Sequence, residues 1–219
     1  MANSAAKAPS ERARVKRYNW LANYDGETIA AILDAMPLCH VGYCVDGKPY
    51  VTPTFQWREG NRVYWHGSSA SRMIKAVGGN DVCLTVSIID GLVLARSAYN
   101  YNINHRSVMI FGRAEKIVDP LEKEAHLRTF VNRFVPDQWD RLRPVSAQEI
   151  KATTLVSMPI SEASAKVRVG QPEDEAADYA FPVWAGIVPV RFEILPPVAD
   201  PRNLPDVQMP DDVLKFSIG

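Results

Sequence analysis

The segment 66–72 (HGSSASR) brings together side chains that could bind a phosphate group. A predicted strand ends at His66, and serines and the start of a short helix lead from it to Arg72. Backbone N–H groups at a helix start, serine hydroxyls and a guanidinium are the usual partners of phosphate oxygens. The same residues also fit an ordinary helix that is capped by Ser68 or Ser69 and carries Arg72 on its surface. The local pattern leaves both interpretations open, and the plain cap is the commoner one.

A second polar cluster lies just before a long apolar strand. It consists of Asn102, Asn104, His105, Arg106 and Ser107. Such a group is typical of a polar turn, and by itself it identifies no reaction. Trp184, which follows Phe181 and Pro182, is predicted to be a core aromatic.

Several enzyme classes are excluded because their motifs are absent from the sequence. It contains no Gly-x-Ser-x-Gly elbow, no Walker loop and no Gly-x-Gly-x-x-Gly motif. The histidines do not have the spacing of metal ligands; they are His40, His66, His105 and His126. Alternation along a strand places Cys39 and Cys44 on opposite faces, so we expect no metal site there. An odd cysteine count, completed by Cys83, favours a reducing compartment over a disulfide framework.

Charge and hydropathy limit the partners of the chain. Its 219 residues include 25 Lys and Arg and 25 Asp and Glu, so the formal net charge is zero. A neutral chain argues against binding nucleic acid through bulk phosphate attraction. Residues 1–24 form a basic arm without the apolar core of a secretion signal, and no apolar run reaches the ~18 residues of a membrane helix. We therefore expect a cytoplasmic protein with a solvated arm and without nucleic-acid or membrane partners.

Turn and cap residues divide the rest of the chain into short elements. Asp25 predicts the cap of a helix over 28–35, and Asp46-Gly47 predicts a hairpin within a meander of strands. The strands are expected at 38–45, 50–57, 62–66, 82–89, 107–118, 154–160 and 184–195, and further helices at 72–77, from Pro120 after the Asp119 cap, and at 147–152. Strand 107–118 is expected to place Val108, Ile110, Ala114 and Val118 on one face. Residues 90–106 are predicted to be a loop or a broken strand, and 170–182 an acidic loop.

This order of elements predicts a mainly β protein, a barrel with peripheral α-helices. The expected parts are the basic arm at 1–24, one barrel domain at 25–195 and a proline-rich extended tail at 196–219.

The order and spacing of several segments point to one family. They are HVG at 40–42, DGKPYV at 46–51, YWHGS at 64–68, SR at 71–72, DGLVLARS at 90–97, RSV at 106–108, FGRA at 111–114, SAKVR at 164–168 and WAG at 184–186. Across residues 17–189 the chain resembles the pyridoxamine 5'-phosphate oxidase-like, FMN-binding split β-barrel family. The similarity is greatest to the flavin-nucleotide-binding branch that includes nitroimidazole-resistance proteins. The resemblance implies a six-stranded, Greek-key-like antiparallel split barrel that forms a homodimer with flavin sites at the subunit interface.

The resemblance also implies which residues bind FMN. Those expected along the isoalloxazine ring are Pro53, Thr54, Phe55, Gln56, Trp57, His66, Gly67 and Ser68. Those expected at the phosphate are Ser71 and Arg72. Those expected to approach from the partner subunit are Asn104, Arg106 and Ser107, with Lys166 and Trp184 as further members of the site.

The implied function is that of an FMN-dependent oxidoreductase that passes reducing equivalents to a small planar acceptor such as a nitroaromatic. His66 is the predicted catalytic residue, because it could donate a hydrogen bond to reduced flavin or protonate the product. Pyridoxamine phosphate oxidation is not expected, since only Arg191 and Arg202 and no histidine follow Trp184. The alternatives are a flavin or haem carrier without turnover, with His66 or His105 as axial ligand, and a dimeric scaffold without a cofactor.

Overall fold

The computed structural model describes residues 7–219 of the chain. Its strands are β1 (Ala22–Asn23), β2 (Leu38–Val45), β3 (Lys48–Glu59), β4 (Arg62–Ser68), β5 (Asp81–Leu94), β6 (Asn102–Arg113), β7 (Glu115–Ile117), β8 (Thr153–Pro159), β9 (Ala163–Arg168) and β10 (Gly186–Pro189). Its α-helices are α1 (Gly26–Ala35), α2 (Arg72–Val77), α3 (Pro120–Phe134) and α4 (Ala147–Ala152). Within 7–219, none of the helices combines the length and the hydrophobicity needed to cross a bilayer.

The ten strands form one curled antiparallel sheet. Its order is β1-β9-β6-β5-β2-β3-β4-β8-β7, and β10 pairs with β5 beside this path. Within residues 7–219 the sheet does not close on itself through hydrogen bonds, but β6, the third strand of the path, continues through Ala114 directly into β7, the last one. This arrangement confirms the predicted mainly β split barrel with peripheral helices, and it contains short strands beyond the six expected.

Local sequence signals set the ends of most elements. Asp46 and Gly47 both have positive φ and join β2 to β3, as an Asp-Gly hairpin requires. Asp25 caps α1 by accepting a hydrogen bond from the Thr28 amide at 2.7 Å, and Asp119 caps α3 in the same way. These predicted caps and the hairpin are confirmed.

The main core lies between the inner face of the sheet and two helices. Alternate residues of the central strands, such as Val41, Leu84 and Ile110, are fully buried there together with Leu33 of α1 and Ile74 of α2. A smaller cluster occupies the other face of β3, β4 and β8, beneath α3. The sheet therefore has two packed surfaces, and the face on which a side chain lies determines what it can bind.

Four strand predictions need correction. β5 extends to Leu94 and β6 begins at Asn102, because a bulge between Ile89 and Gly91 keeps the two strands paired across the predicted loop. The predicted strand 107–118 is interrupted at Ala114, between β6 and β7. Val118 is therefore exposed and does not continue the buried face. The last strand is only Gly186–Pro189, because the residues after it have no neighbouring strand to pair with. Sequence analysis missed β9, whose small and polar residues show no alternation.

The two terminal segments lie against the barrel. Residues 1–6 of the predicted arm lie outside the described residues, and within 7–24 the basic side chains are exposed while the segment contacts the barrel. Arg12 pairs with Glu162, Ala13 is buried and β1 pairs with β9, whereas Arg14 and Lys16 pair with Glu11 inside the arm. In the tail 196–219, which is irregular apart from a 3-10 helix at Asp211–Lys215, the Gly219 amide donates to the carbonyl of Ala35 at 2.9 Å.

Candidate functional site

The turn before α2 is built from serines whose roles differ from the predicted ones. Ser71, not Ser68 or Ser69, caps α2, and its Oγ accepts a hydrogen bond from the Ile74 amide at 3.2 Å. Ser68 Oγ instead accepts from the Ala70 amide, because residues 68–71 form a separate turn ahead of the helix. Ser71 is therefore both the cap of α2 and part of the predicted phosphate-binding site, which we call the cradle and which consists of the serine hydroxyls and Arg72.

Arg72 is the exposed cation of this turn. Its guanidinium lies over the ring of Tyr50, 4.9 Å from the ring centroid, and Tyr50 in turn stacks on Tyr43. Among the described residues, Arg72 forms no ion pair with a carboxylate, so its charge is available to an anion. Because α2 has only six residues, we assign little to its dipole and base the cradle on Arg72 and the hydroxyls.

His66 and Arg72 lie on opposite sides of β4. Trp65 packs in the main core together with Ile74 of α2, and a Cβ at Gly67 would approach the same Ile74 side chain to 3.1 Å. His66 lies between these two residues and points the other way, toward α3. The two predicted halves of one flavin site thus flank the end of β4 and do not share a pocket within the chain.

The imidazole of His66 is packed among aromatic rings. Its ring centroid lies 4.9 Å from that of Phe130 and 6.0 Å from that of Trp57. Nδ1 is buried and has no hydrogen-bond partner among the described residues. Burial lowers the pKa of His66, so the ring is neutral at pH 7. A neutral imidazole is a poor general acid, but one of its nitrogens keeps a free lone pair.

An apolar cavity of about 520 Å³ lies next to Phe130, and His66 itself is not part of its lining. Most of its lining is hydrophobic and comes from α3 and the loop that follows it: Leu127, Phe130, Val131, Trp139, Leu142 and Val145. Phe130 is both a wall of the cavity and a contact of His66. The volume is that of a small-molecule pocket, which typically spans roughly 300–1,000 Å³. Sequence analysis missed the cavity, since the helical spacing of its apolar residues is that of any core-facing helix.

The five predicted flavin contacts on β3 differ in how far their side chains are exposed to solvent. Pro53 and Phe55 are exposed and Thr54 is half-buried. Gln56 is fully buried, and its Nε2 donates to the carbonyls of Leu33 at 2.6 Å and Met36 at 2.9 Å, which ties the end of α1 to the sheet. Trp57 is also fully buried, with Nε1 bonded to Glu59 at 2.8 Å. The last two side chains therefore serve the fold, and their place beside a flavin stays a prediction.

The second polar cluster lies elsewhere on the sheet. Arg106 binds Asp90 through two hydrogen bonds, of 2.9 and 2.7 Å, and Asn104 Nδ2 donates to the Gly170 carbonyl. Ser107 pairs with Lys166 across β6 and β9. Four strand spacings separate β6 from β4, roughly 19 Å along the sheet at about 4.8 Å each. The structure thus does not bring this cluster to Arg72 within one chain.

Trp184 differs from its prediction as a core aromatic. Its side chain is 68% exposed, because it precedes the short strand β10 instead of lying within a long one. Among residues 7–219, no three His, Cys, Asp or Glu side chains are grouped closely enough to hold a metal ion.

The buried imidazole of His66 should make the fold less stable at acid pH. Because the pKa is lowered in the folded state, the unfolded chain takes up the proton first as the pH falls. Below about pH 6.5 the free energy of unfolding then decreases by up to ~1.4 kcal/mol per pH unit, until the pH passes the lowered pKa. We expect His66→Ala to lose less stability than the wild type between pH 7.5 and 5.5 in urea titrations. Equal losses would mean that His66 titrates alike in both states.

The curled sheet with its peripheral helices defines a split-barrel protein, and comparisons with known proteins place it more closely. The family model described as pyridoxamine 5'-phosphate oxidase matches residues 25–167. The chain belongs to this family, as its sequence pattern predicts. A search of curated protein sequences finds no match.

Comparison with solved structures also identifies this split-barrel fold. The flavocytochrome Anf3 from Azotobacter vinelandii is 62% identical, with a TM-score of 0.95 over 98% of this chain and 100% of that one. The FAD and haem binding protein from Mycobacterium smegmatis is 29% identical, with a TM-score of 0.85 over 90% of this chain and 97% of that one. A candidate 5-nitroimidazole antibiotic resistance protein from Bacteroides thetaiotaomicron shares the fold, at 24% identity and a TM-score of 0.56 over 67% of this chain and 86% of that one.

Proposed function

We propose that this protein is an oxidoreductase that binds the FMN portion of a flavin nucleotide and passes electrons to a small planar acceptor. The observation that carries the proposal is Arg72, an unpaired guanidinium held on the ring of Tyr50 next to the Ser71 hydroxyl. Charge-assisted hydrogen bonds of this kind hold phosphates. Two similar proteins support the choice of ligand, since one is named a flavocytochrome and the other an FAD and haem binding protein.

In the proposed mechanism the chain contributes binding and orientation. When bound, the flavin supplies the electron chemistry. Arg72 and the serine hydroxyls hold the phosphate, and exposed Phe55 offers an apolar surface for a flat ring. His66 lies on the other side of β4 from Arg72, and with its lowered pKa it offers a neutral hydrogen-bonding group on that side and not an imidazolium acid. The nitroaromatic class of acceptor stays a proposal that turnover assays must test.

Replacing Arg72 by alanine tests the phosphate site. We expect FMN affinity to fall by about 1.5–3 kcal/mol, which is the usual contribution of a hydrogen bond to a charged group. That change is roughly 10- to 150-fold in Kd. Flavin fluorescence titration measures it. Lys75→Ala is the matched control, because Lys75 is an exposed cation on the same short helix and should leave FMN affinity unchanged. Equal affinities in wild type and Arg72→Ala would place the phosphate elsewhere.

We also propose that a second copy of the chain completes the site. Leu38, Phe55, Ile89 and Met109 are exposed apolar residues at alternate positions on the outer face of β2, β3, β5 and β6. Exposed apolar side chains grouped on one face of a sheet commonly mark an interface. A homodimer formed through this face would cover it, and would allow the cluster around Ser107 to approach the cradle of the other protomer.

The oligomeric state tests this part of the proposal. We expect the wild type to be a dimer in light scattering, and Met109→Glu to shift it toward monomer because the substitution buries an unpaired charge in the interface. Val118→Glu is the control, since Val118 is exposed next to β7 and away from this face. A monomeric wild type, or a dimer that tolerates Met109→Glu, would contradict the proposed interface.

Haem binding is the second candidate function, and His66 is the observation that favours it. A neutral imidazole, whose Nδ1 has no partner among the described residues and which reaches an apolar cavity of about 520 Å³ only through Phe130, is a suitable donor for haem iron. Both similar proteins named above support this candidate. His105 is less suited, because its Nδ1 faces the Ile103 carbonyl at 3.4 Å in a polar cleft.

A further inference from the structure

A polar cleft of about 290 Å³ lies at the other end of the sheet from Arg72. One wall is the segment before β1, with Trp20, and a second is the loop before β6, with Tyr99. The floor is the end of β9, with Lys166 and Arg168. This cleft is formed entirely by one chain and includes none of the serines or the arginine of the cradle.

The floor of the cleft carries positive charge that the protein does not neutralise. The Nζ of Lys166 lies over the ring of Tyr18, 5.3 Å from its centroid. Arg168 donates to the side-chain oxygen of Asn104, a neutral acceptor. In the part of the chain that the structure describes, neither cation pairs with a carboxylate. Two cations on the floor of the cleft outnumber the one carboxylate residue in its lining, Glu173, and this favours an anionic ligand.

The walls of the cleft carry aromatic rings that are unusually open to solvent. Trp20 is 74% exposed and Tyr99 is 89% exposed. Such rings commonly stack on flat ligands, including nucleic-acid bases. The carboxylate of Glu173 also lines the cleft, and a carboxylate is a suitable acceptor for ribose hydroxyls.

We propose that this cleft binds a nucleoside phosphate. Lys166 and Arg168 contact the phosphate, Trp20 and Tyr99 stack on the base, and Glu173 accepts from the ribose. A volume of about 290 Å³ suits one nucleoside phosphate and not a whole dinucleotide. The ligand comes either from a free nucleotide or from the adenylate half of FAD, and only the second source rests on the proposed flavin function.

Isothermal titration of the full chain with ADP tests the proposal. We expect ADP to bind the wild type, and Lys166→Gln and Tyr99→Ala each to weaken binding by about tenfold, since one charge-assisted contact or one stacked ring is lost. The matched controls are Lys75→Gln on α2 and Tyr101→Ala, an exposed tyrosine two residues from Tyr99 that does not line the cleft. Both controls should bind ADP as the wild type does.

Flavin loading distinguishes the two sources. If ADP binds the FMN-loaded protein but not the FAD-loaded protein, the adenylate half of FAD occupies the cleft. If ADP binds both, the cleft takes a separate nucleotide. The proposal is overturned if Tyr99→Ala and Lys166→Gln bind ADP as the wild type does. It is also overturned if the wild type binds no ADP and Tyr99→Ala leaves the FAD and FMN affinities unchanged. Arg72→Ala, which tests the flavin proposal, should not affect ADP binding.

Discussion

His66→Ala should abolish the ligated haem spectrum that the wild-type protein acquires when it is mixed with haem. We expect a sharp Soret band for wild type, and for the variant a broad band with affinity lower by at least about tenfold, or ~1.4 kcal/mol. The physical reason is that His66 offers a neutral ring whose pKa is lowered by burial, so no proton competes for its lone pair at pH 7. The neighbouring apolar cavity would shield the macrocycle from water.

His105→Ala is the matched control for this experiment. His105 lies in the cleft with Lys166, and its replacement should leave the Soret band unchanged. Loss of the band in His105→Ala but not in His66→Ala would contradict the proposal and identify His105 as the haem ligand. A wild type that gives no sharp band with haem would remove the second candidate function and leave the flavin proposal in place.

Sequence signals that act over a few residues predict the fold well. The Asp46-Gly47 hairpin and the Asp25 and Asp119 caps depend on their immediate neighbours, and each is confirmed. The bulge at Asp90 was not predicted, because it depends on how β5 pairs with β6. That bulge is what brings Asp90 to Arg106 and neutralises a cation expected at the flavin.

The site is harder to predict than the fold, because it depends on which face a side chain takes. His66 and Arg72 are six residues apart in sequence, yet they lie on opposite sides of β4. The polar cleft joins Trp20, Tyr99 and Lys166, which are brought together only by the pairing of β1, β9 and β6. The spacing of residues in the sequence does not predict such contacts. Only the order of the motifs, through the family resemblance, indicates a flavin site.

Trp57→Ala should destabilise the protein by about 3–5 kcal/mol, the usual cost of removing a buried large aromatic side chain. Trp57 is fully buried, stacks on Tyr64 with a centroid distance of 5.8 Å, and lies 4.9 Å from Phe130 of α3. Its Nε1 also donates to Glu59. The substitution therefore leaves a cavity beneath α3 and removes one of the two hydrogen bonds to Glu59, which keeps its contact with His126 at 2.9 Å. Urea unfolding measures the loss.

Trp184→Ala is the matched control, because Trp184 is a largely exposed tryptophan and its loss should change stability by less than about 0.5 kcal/mol. The cavity left in Trp57→Ala also borders His66 and would admit water. Since burial is the cause of the lowered pKa of His66, we expect that pKa to rise toward its ordinary value in this variant. NMR titration of the imidazole measures the change. A Trp57→Ala protein that is as stable as wild type but binds flavin poorly would instead return Trp57 to the flavin site.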